Sequence, residues 1–310
     1  MKILYGISSI SIDVTNICLS KLTRNNIITI PFGDINRSIY FTDPLQGVQK
    51  KIIILNDNND TTEYDEYTEV KINITNNTIN TINLKNNRSQ KDIDEKLKII
   101  HASLNIKHGS LNDEMPEQKM AIKYLTGNEK VLEIGGNIGR NSLVIASILK
   151  DSSNLVTLES DINIANQLTE NRDLNKFKFY IEKSALSKRS LIQKGWDTIP
   201  SDTLQTGYKW VNTITIEDLK KKYDIAFDTL VLDCEGSFYY ILMDMPDILN
   251  DITLIIMEND YYDFSQKIYI NKIMIQNNFY LEYCESGGWG PCFHNFFEVW
   301  KKIEPICEPI

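Results

Sequence analysis

The run Val131-Leu132-Glu133-Ile134-Gly135-Gly136-Asn137-Ile138-Gly139-Arg140 passes from an apolar stretch into closely spaced glycines and out into a helix-forming segment. It reads as a short strand over Lys130 to Ile134, a tight turn from Gly135 to Gly139, and a helix from Asn141 to Lys150 that carries Leu143, Val144, Ile148 and Leu149. A turn of this kind lets the backbone approach a polar ligand closely and presents a helix N-terminus to it. The G-x-G-x-x-G spacing of dinucleotide folds is not met, because Asn137 stands two places after Gly135. That disfavours a nicotinamide or flavin enzyme. Taken alone, the turn is also explained by tight packing of a strand on a helix.

Downstream, Val156-Thr157-Leu158-Glu159-Ser160-Asp161 places an acid at the end of the next strand, roughly 20 residues after the glycines. Glu159 there can accept both hydroxyls of a ribose. Strands are also expected at Leu155 to Leu158, Phe177 to Ile181, Thr229 to Leu232 and Thr253 to Met257, separated by helix-length segments. Alternation of β and α predicts an α/β fold, an open parallel sheet with helices on both faces. Upstream, Ile93, Leu97, Ile100 and Leu104 recur at helical spacing, and a second helix has Pro116 in its first turn, Glu117 near its positive end and Gly127 as its stop.

Before residue 85 the character changes. Short extended runs separated by turn formers, such as Asn26 to Ile30, Ser38 to Phe41 and Lys51 to Leu55, predict strands and no helix. Asp43-Pro44 with Gly47 marks a turn, and the alternation through Ile72, Ile74, Ile82 and Leu84 around Asn76-Asn77 predicts a hairpin. The acid-rich Asp57 to Glu69 reads as a solvated loop or edge strand, not a metal site. With Asn86 to Gln90 as a polar linker, two domains are expected: a β-rich module over 1–85, serving acceptor binding or oligomerisation, and an α/β domain over 86–310.

The 310 residues are 42% hydrophobic and 24% charged, enough for a substantial core and against wholesale disorder. A net charge of -9, from 33 basic and 42 acidic residues, argues against a nucleic-acid partner gripped by its phosphates. No apolar run reaches the roughly 18–20 residues of a membrane span, and Met1 to Ser20 does not read as a signal peptide, so no membrane role is expected. The five cysteines are scattered without a C-x-x-C pair, which points to free thiols in a reducing cytoplasm. The sequons at Asn73 and Asn76 then read as polar strand and turn residues. The many Asn and Ile residues are compatible with an AT-rich genome, that of a large DNA virus or a bacterium, with the host cytoplasm or a virion as the place of a viral protein.

As a set, VLEIGGNIGRNS, LESD, the spaced Asn171 and Asn175, Ser184-Ala185-Leu186-Ser187 and DTLVLDCEG (Asp228 to Gly236) resemble class I S-adenosylmethionine-dependent methyltransferases, and in detail the FkbM family, known for O-methylation of sugars and related hydroxylated molecules. The resemblance spans about Ile93 to Lys302. It implies a Rossmann-like sheet and S-adenosylmethionine held by Glu133, Gly135, Asn137, Gly139, Glu159, Ser160, Ala185 and Asp233. Glu133 and Ser160 stand where the family more often has Asp and Pro; Glu133 keeps a charge for the methionine ammonium, and Ala185 falls near the adenine. It also brings Glu117 near the methionine end, where its other role is to complement a helix dipole.

Methyl transfer to oxygen needs an acceptor held in line and a base. Asp233 and Glu235 after the fourth strand, Glu258, Asn259 and Asp260 after the fifth, and His294 in the loop Gly287-Gly288-Trp289-Gly290-Pro291-Cys292-Phe293-His294-Asn295 are the candidates. Asp233, Glu235, Glu258 and His294 are the expected catalytic residues. Capping of the next helix is an equal account of Asp233 or Glu235, and a hairpin turn accounts as well for His294. Asp233, Glu258 and Asn259 offer hard oxygens and resemble Mg2+ ligands of other methyltransferases. Tyr261 and Tyr262 either line an acceptor pocket or pack, and Cys234 is expected in the core, turned away by strand alternation. Together these readings predict an O-methyltransferase acting on a sugar or glycan hydroxyl, with homo-oligomerisation open to it. The competing reading is a non-catalytic binding or structural protein, for instance of a virion, that retains the fold.

Overall fold

The computed structural model of the chain describes residues 1–45, 48–56, 58, 60–83, 90–195 and 197–303. Alternating apolar residues build its first part. Strands β1 (Lys2–Ile7), β2 (Ile10–Asp13), β3 (Thr23–Arg24), β4 (Ile27–Ile30), β5 (Lys51–Leu55), β6 (Thr61–Tyr64), β7 (Thr68–Asn73) and β8 (Thr78–Asn83) form two antiparallel sheets, ordered β2-β1-β5-β6 and β3-β4-β7-β8. Ile3 and Tyr5, Ile28 and Ile30, Ile52 and Ile54, Val70 and Ile72 are each two residues apart, so each pair shares a face, and both sheets feed one core with Cys18 and Phe41. β7 and β8 form the expected hairpin, with Asn77 left-handed at φ 56°. β6 is an exposed edge strand, as the acidic stretch suggested, although Glu66 and Glu69 beyond it are buried. Gly47, Asp57 and most of the expected linker, 86–89, lie outside the described residues, as does the proposed domain boundary at 85/86.

Two elements differ from the sequence reading. Thr15–Lys21 and Asp34–Phe41 are helices, α1 and α2, where strands or loops were expected, Ser38 to Phe41 among them. α2 escaped notice because buried positions on it are polar. Asn36 is buried, and so is Arg37, whose guanidinium donates to the carbonyls of Pro31 (3.0 Å), Asp65 (2.9 Å) and Thr68 (2.7 Å). An apolar periodicity cannot reveal a helix that buries hydrogen-bonding groups.

The second part opens with α3 (Gln90–Ser103) and α4 (Met115–Tyr124), then alternates β9 (Val131–Ile134), α5 (Arg140–Ile148), β10 (Leu155–Leu158), α6 (Ile162–Leu174) and β11 (Tyr180–Glu182). After an insertion, α7 (Ile216–Tyr223), β17 (Thr229–Leu232), α8 (Phe238–Asp244), β18 (Leu254–Glu258), α9 (Phe264–Gln276), β19 (Phe279–Glu285) and β20 (Phe297–Lys302) complete it. The sheet order is β11-β10-β9-β17-β18-β20-β19, parallel except for β20, which runs against both of its neighbours.

Each central strand sends alternate residues to opposite faces. Leu132, Ile134, Val156, Leu158, Leu230 and Leu232 meet α7, α8 and α9 in one core; Val131, Leu155, Val231 and Ile256 meet α4, α5 and α6 in the other. Burial on both faces is why these strands are almost wholly apolar. The chain is thus a Rossmann-like α/β sheet preceded by small antiparallel sheets.

The insertion holds a short parallel pair, β12 (Ala185–Leu186) with β16 (Thr213–Ile214), and between them a three-stranded antiparallel sheet, β14 (Asp197–Pro200), β13 (Leu191–Lys194) and β15 (Lys209–Val211). Cys18, Cys234, Cys284 and Cys292 are free thiols, and no helix among the described residues is long and apolar enough to cross a membrane.

Candidate active site

Register brings the site together. Ile134 pairs with Leu158 on one side and Leu232 on the other, and Leu232 pairs with Met257. The residues that follow, Gly135, Glu159, Asp233 and Glu258, therefore emerge side by side at the carboxyl edge, where the strand order reverses. A cleft of about 610 Å3 opens there, and all four line it.

Gly135 is fixed by geometry. Its φ is +94°, and an added Cβ would sit 1.6 Å from the carbonyl oxygen of Asp233, so the first turn and the turn after β17 touch backbone to backbone. Gly139, also at φ +94°, precedes α5, and a Cβ there would meet Leu168 at 2.3 Å. Between them Asn137 is left-handed at φ 46°, and its amide N–H donates to Glu159 Oε2 at 2.9 Å. The other oxygen, Oε1, accepts from the Asp161 N–H at 2.7 Å. Two backbone donors thus aim the Glu159 carboxylate while each oxygen keeps a lone pair for a ligand. Burial raises its pKa above the ordinary carboxylate range, and those backbone bonds counteract the rise.

Six of the eight proposed cofactor residues, Gly135, Asn137, Glu159, Ser160, Ala185 and Asp233, line this one cleft; Glu133 and Gly139 do not. Glu133 is buried on β9, accepts a short hydrogen bond from the Ser142 hydroxyl, and is pushed up to about 7 chiefly by desolvation. Glu114 lines the cleft in its stead. It sits left-handed at φ 56° at the start of α4, where its Oε1 receives Arg140 Nη1 at 2.7 Å and Asn137 Nδ2 at 3.3 Å. The sequence signal for it was Asp113-Glu114-Met115-Pro116, in which Glu117 drew the attention. Glu117 is itself buried, with Oε2 unpartnered among the described residues and its pKa raised to about 7 by burial.

Asn171 and Asn175 are pins. The buried Asn171 amide accepts from the N–H groups of Lys107 and His108 and donates to the carbonyls of His108 and Ile138, tying the segment before α4 to the glycine turn. Asn175 bonds Asn105 in both directions. His101 and His108 pair with Gln118 and Glu170, in packing and surface roles.

The opposite end of the cleft is acidic. Asp233 is held well above the usual carboxylate range by burial and then by the charges of Glu114, Asp260, Glu117 and Glu235. Asp260, missing from the expected catalytic set, accepts from the Gly236 N–H at 2.8 Å and is pushed up to about 7 by burial and by Glu235. Carboxylate oxygens of Asp233, Glu258 and Asp260 lie within 4.8 Å of one another. Asn259, the other expected ligand beside them, donates its Nδ2 to the carbonyls of Asn295 (2.6 Å) and Phe296 (3.3 Å), while its Oδ1 is buried with no partner among the described residues. Neither Asp233 nor Glu235 caps α8, whose N-cap position is Ser237 without a side-chain bond. Cys234 corrects the alternation argument: β17 ends at Leu232, so Cys234 lies in a turn and lines the cleft while packing against the core.

His294 is exposed in the 3-10 turn Gly290–Asn295, edge-on to Phe293, and is not among the lining residues. Trp289 and the exposed Tyr262 meet with ring centres 4.7 Å apart and planes tilted by 53°, whereas Tyr261 is buried in the core. Most of the lining residues that sequence reasoning missed come from the insertion, Leu191, Gln193 and Thr198 among them, because nothing in the local pattern says which way a small inserted sheet folds; Ile164 on α6 is another.

No protein-family model matches the chain, and no curated protein matches it. Solved structures similar to it include an O-methyltransferase from Bacillus cereus in complex with SAH, 14% identical, covering 69% of this chain and 91% of that one at a TM-score of 0.39. The O-methyltransferase TomG from Streptomyces achromogenes, in complex with SAM, is 12% identical over 68% of this chain and 91% of its own, at 0.39. A ribosomal protein L11 methylase from Lactobacillus delbrueckii subsp. bulgaricus is 13% identical over 62% and 80%, at 0.40. The sheet order and the cleft at its switch point are those of an open Rossmann-like α/β fold.

Proposed function

We propose that the chain is an S-adenosylmethionine-dependent O-methyltransferase whose acceptor is a sugar or glycan hydroxyl. The observation that carries this reading is the Glu159 carboxylate, aimed by the backbone of Asn137 and Asp161 in a cleft that ends in a cluster of acids. The residues fit the cofactor in kind. Glu159 would take the ribose hydroxyls, the Gly135 turn leaves room for close approach, and Glu114 would face the methionine ammonium. When bound, the cofactor supplies an electrophilic methyl group. The chain then has to hold an acceptor oxygen in line with it and remove one proton. Asp233, Glu258 and Asp260 stand at that end, and a carboxylate whose pKa is raised by burial is a better base than an exposed one. The same three carboxylates offer the hard oxygens that Mg2+ takes, and such an ion would bind neighbouring hydroxyls and acidify one of them.

A neutral polyhydroxylated acceptor suits the cleft, because no lysine or arginine is among its lining residues and an anionic acceptor would meet uncompensated acids. The β-rich module over 1–85 and its helix α2 would serve as a platform for the Gly290–Asn295 turn, since Gly33 lies against Asn295. The test is incubation with S-adenosylmethionine and a panel of neutral sugars and glycans, with and without Mg2+, read by mass spectrometry. A sugar product heavier by one methylene, lost in Asp233→Ala, is expected; no methylated sugar from a protein that binds the cofactor would move the acceptor to another class.

A further inference from the structure

The inserted sheet carries a buried polar atom with no partner among the described residues. Gln193 on β13 is buried and lines the cleft, as does Leu191 two residues earlier on the same strand face, and its cross-strand partner Thr198. Its Nε2 donates to Ser160 Oγ at 3.1 Å, while its Oε1 is buried with no partner among the described residues. A buried amide oxygen left unpaired costs about 1–3 kcal/mol, and a ligand that supplies a donor removes that cost. Ser160 follows Glu159 directly and lines the same cleft as Gln193, so this wall is within reach of the base of a nucleoside whose ribose Glu159 holds. The wall also carries Ile164, Leu186 and Leu191, apolar side chains suited to a flat heterocycle.

We propose that Gln193 is a specificity-determining residue of the cofactor site, whose side-chain amide reads the amino edge of the adenine base. This inference rests on the nucleoside reading above. The primary amide presents one acceptor and one free N–H, complementary to an exocyclic amine next to a ring nitrogen. Ser160, by accepting from Nε2, keeps Oε1 as the open acceptor.

The experiment is calorimetric titration of the full chain with S-adenosylhomocysteine and with its analogue lacking the exocyclic amine, using wild type and Gln193→Leu. In wild type, loss of the amine weakens binding about tenfold; in Gln193→Leu, S-adenosylhomocysteine binds about tenfold more weakly and the amine then matters less than about twofold. Equal affinity of wild type for the two ligands overturns the proposal while leaving the nucleoside reading intact, and needs no variant to fold. An amine effect that is the same in Gln193→Leu as in wild type overturns it too. Failure of wild type to bind either ligand overturns both.

Discussion

Two acids on the central strands behave differently: Glu133 is buried within β9, whereas Glu159, just past the end of β10, is half-buried at the cleft. Glu159 meets backbone donors at the cleft and is poised to bind; Glu159→Ala is expected to weaken S-adenosylhomocysteine at least about a hundredfold, by loss of two charge-assisted hydrogen bonds to the ribose, and to cost about 1–2 kcal/mol of stability because the Asn137 and Asp161 N–H groups lose their acceptor. Glu133 meets only hydroxyls, those of Ser142 and Thr157, and its pKa rises from 4.5 to about 7 because burial penalises its charge. The protonated form is therefore the one the fold prefers. Its contribution is fully present below about pH 4.5 and is lost as pH rises through about 7, an effect of about 3 kcal/mol at most. Glu133→Gln should remove that dependence and gain stability at pH 8 relative to pH 5 in denaturant titrations; an unchanged pH profile would mean that the charge is tolerated. At this scale the sequence was legible for Glu159, whose place at a strand end follows from spacing. It was misleading for Glu133, whose burial among the β9, β10 and α5 side chains depends on packing that no single segment encodes.

The turn after β9 works as an element because two backbones touch. Gly135→Ala, which would put a methyl 1.6 Å from a carbonyl oxygen, is expected to destabilise the chain by more than about 2 kcal/mol and to abolish cofactor binding. Gly195, at φ +60° with nothing within 4 Å of an added Cβ, is the control: Gly195→Ala should cost only about 1 kcal/mol. Equal losses would show that backbone conformation, not the close approach, governs the first turn. The strands and helices around these turns could be read from the sequence because apolar runs of four residues between helices have one good use, a sheet buried on both faces. β11 began later than expected, at Tyr180, with Phe179 already committed to the core. α2 and the inserted sheet could not be read, since one hides buried polar residues and the other is too short to show a period.

Across the whole molecule, the β-rich part is joined to the sheet by a polar network and a shared core. Phe32 belongs to the core beneath α8 and α9, and Asn271 on α9 donates to Asn36 Oδ1 at 2.8 Å. Asn271 also accepts from Lys267 at 2.6 Å, which pairs with Glu298, itself bonded by Trp300 Nε1 at 2.8 Å, all buried. Breaking a buried pair of this kind leaves an unmatched group. Asn36→Leu and Asn271→Leu should each cost about 2 kcal/mol and together clearly less than the sum. Two independent unfolding transitions, or additive losses, would contradict a joint of this kind. None of this joint could be read from the sequence, because it pairs residues 235 positions apart. What could be read was the set Gly135, Asn137, Glu159 and Asp233 that meets in one cleft, and the proposal of nucleoside binding stands on it. Calorimetric titration of the intact chain with S-adenosylhomocysteine tests that claim most directly: one-site binding at micromolar affinity, lost in Glu159→Ala, is the predicted result, and no binding by a cooperatively folded wild-type protein would contradict it.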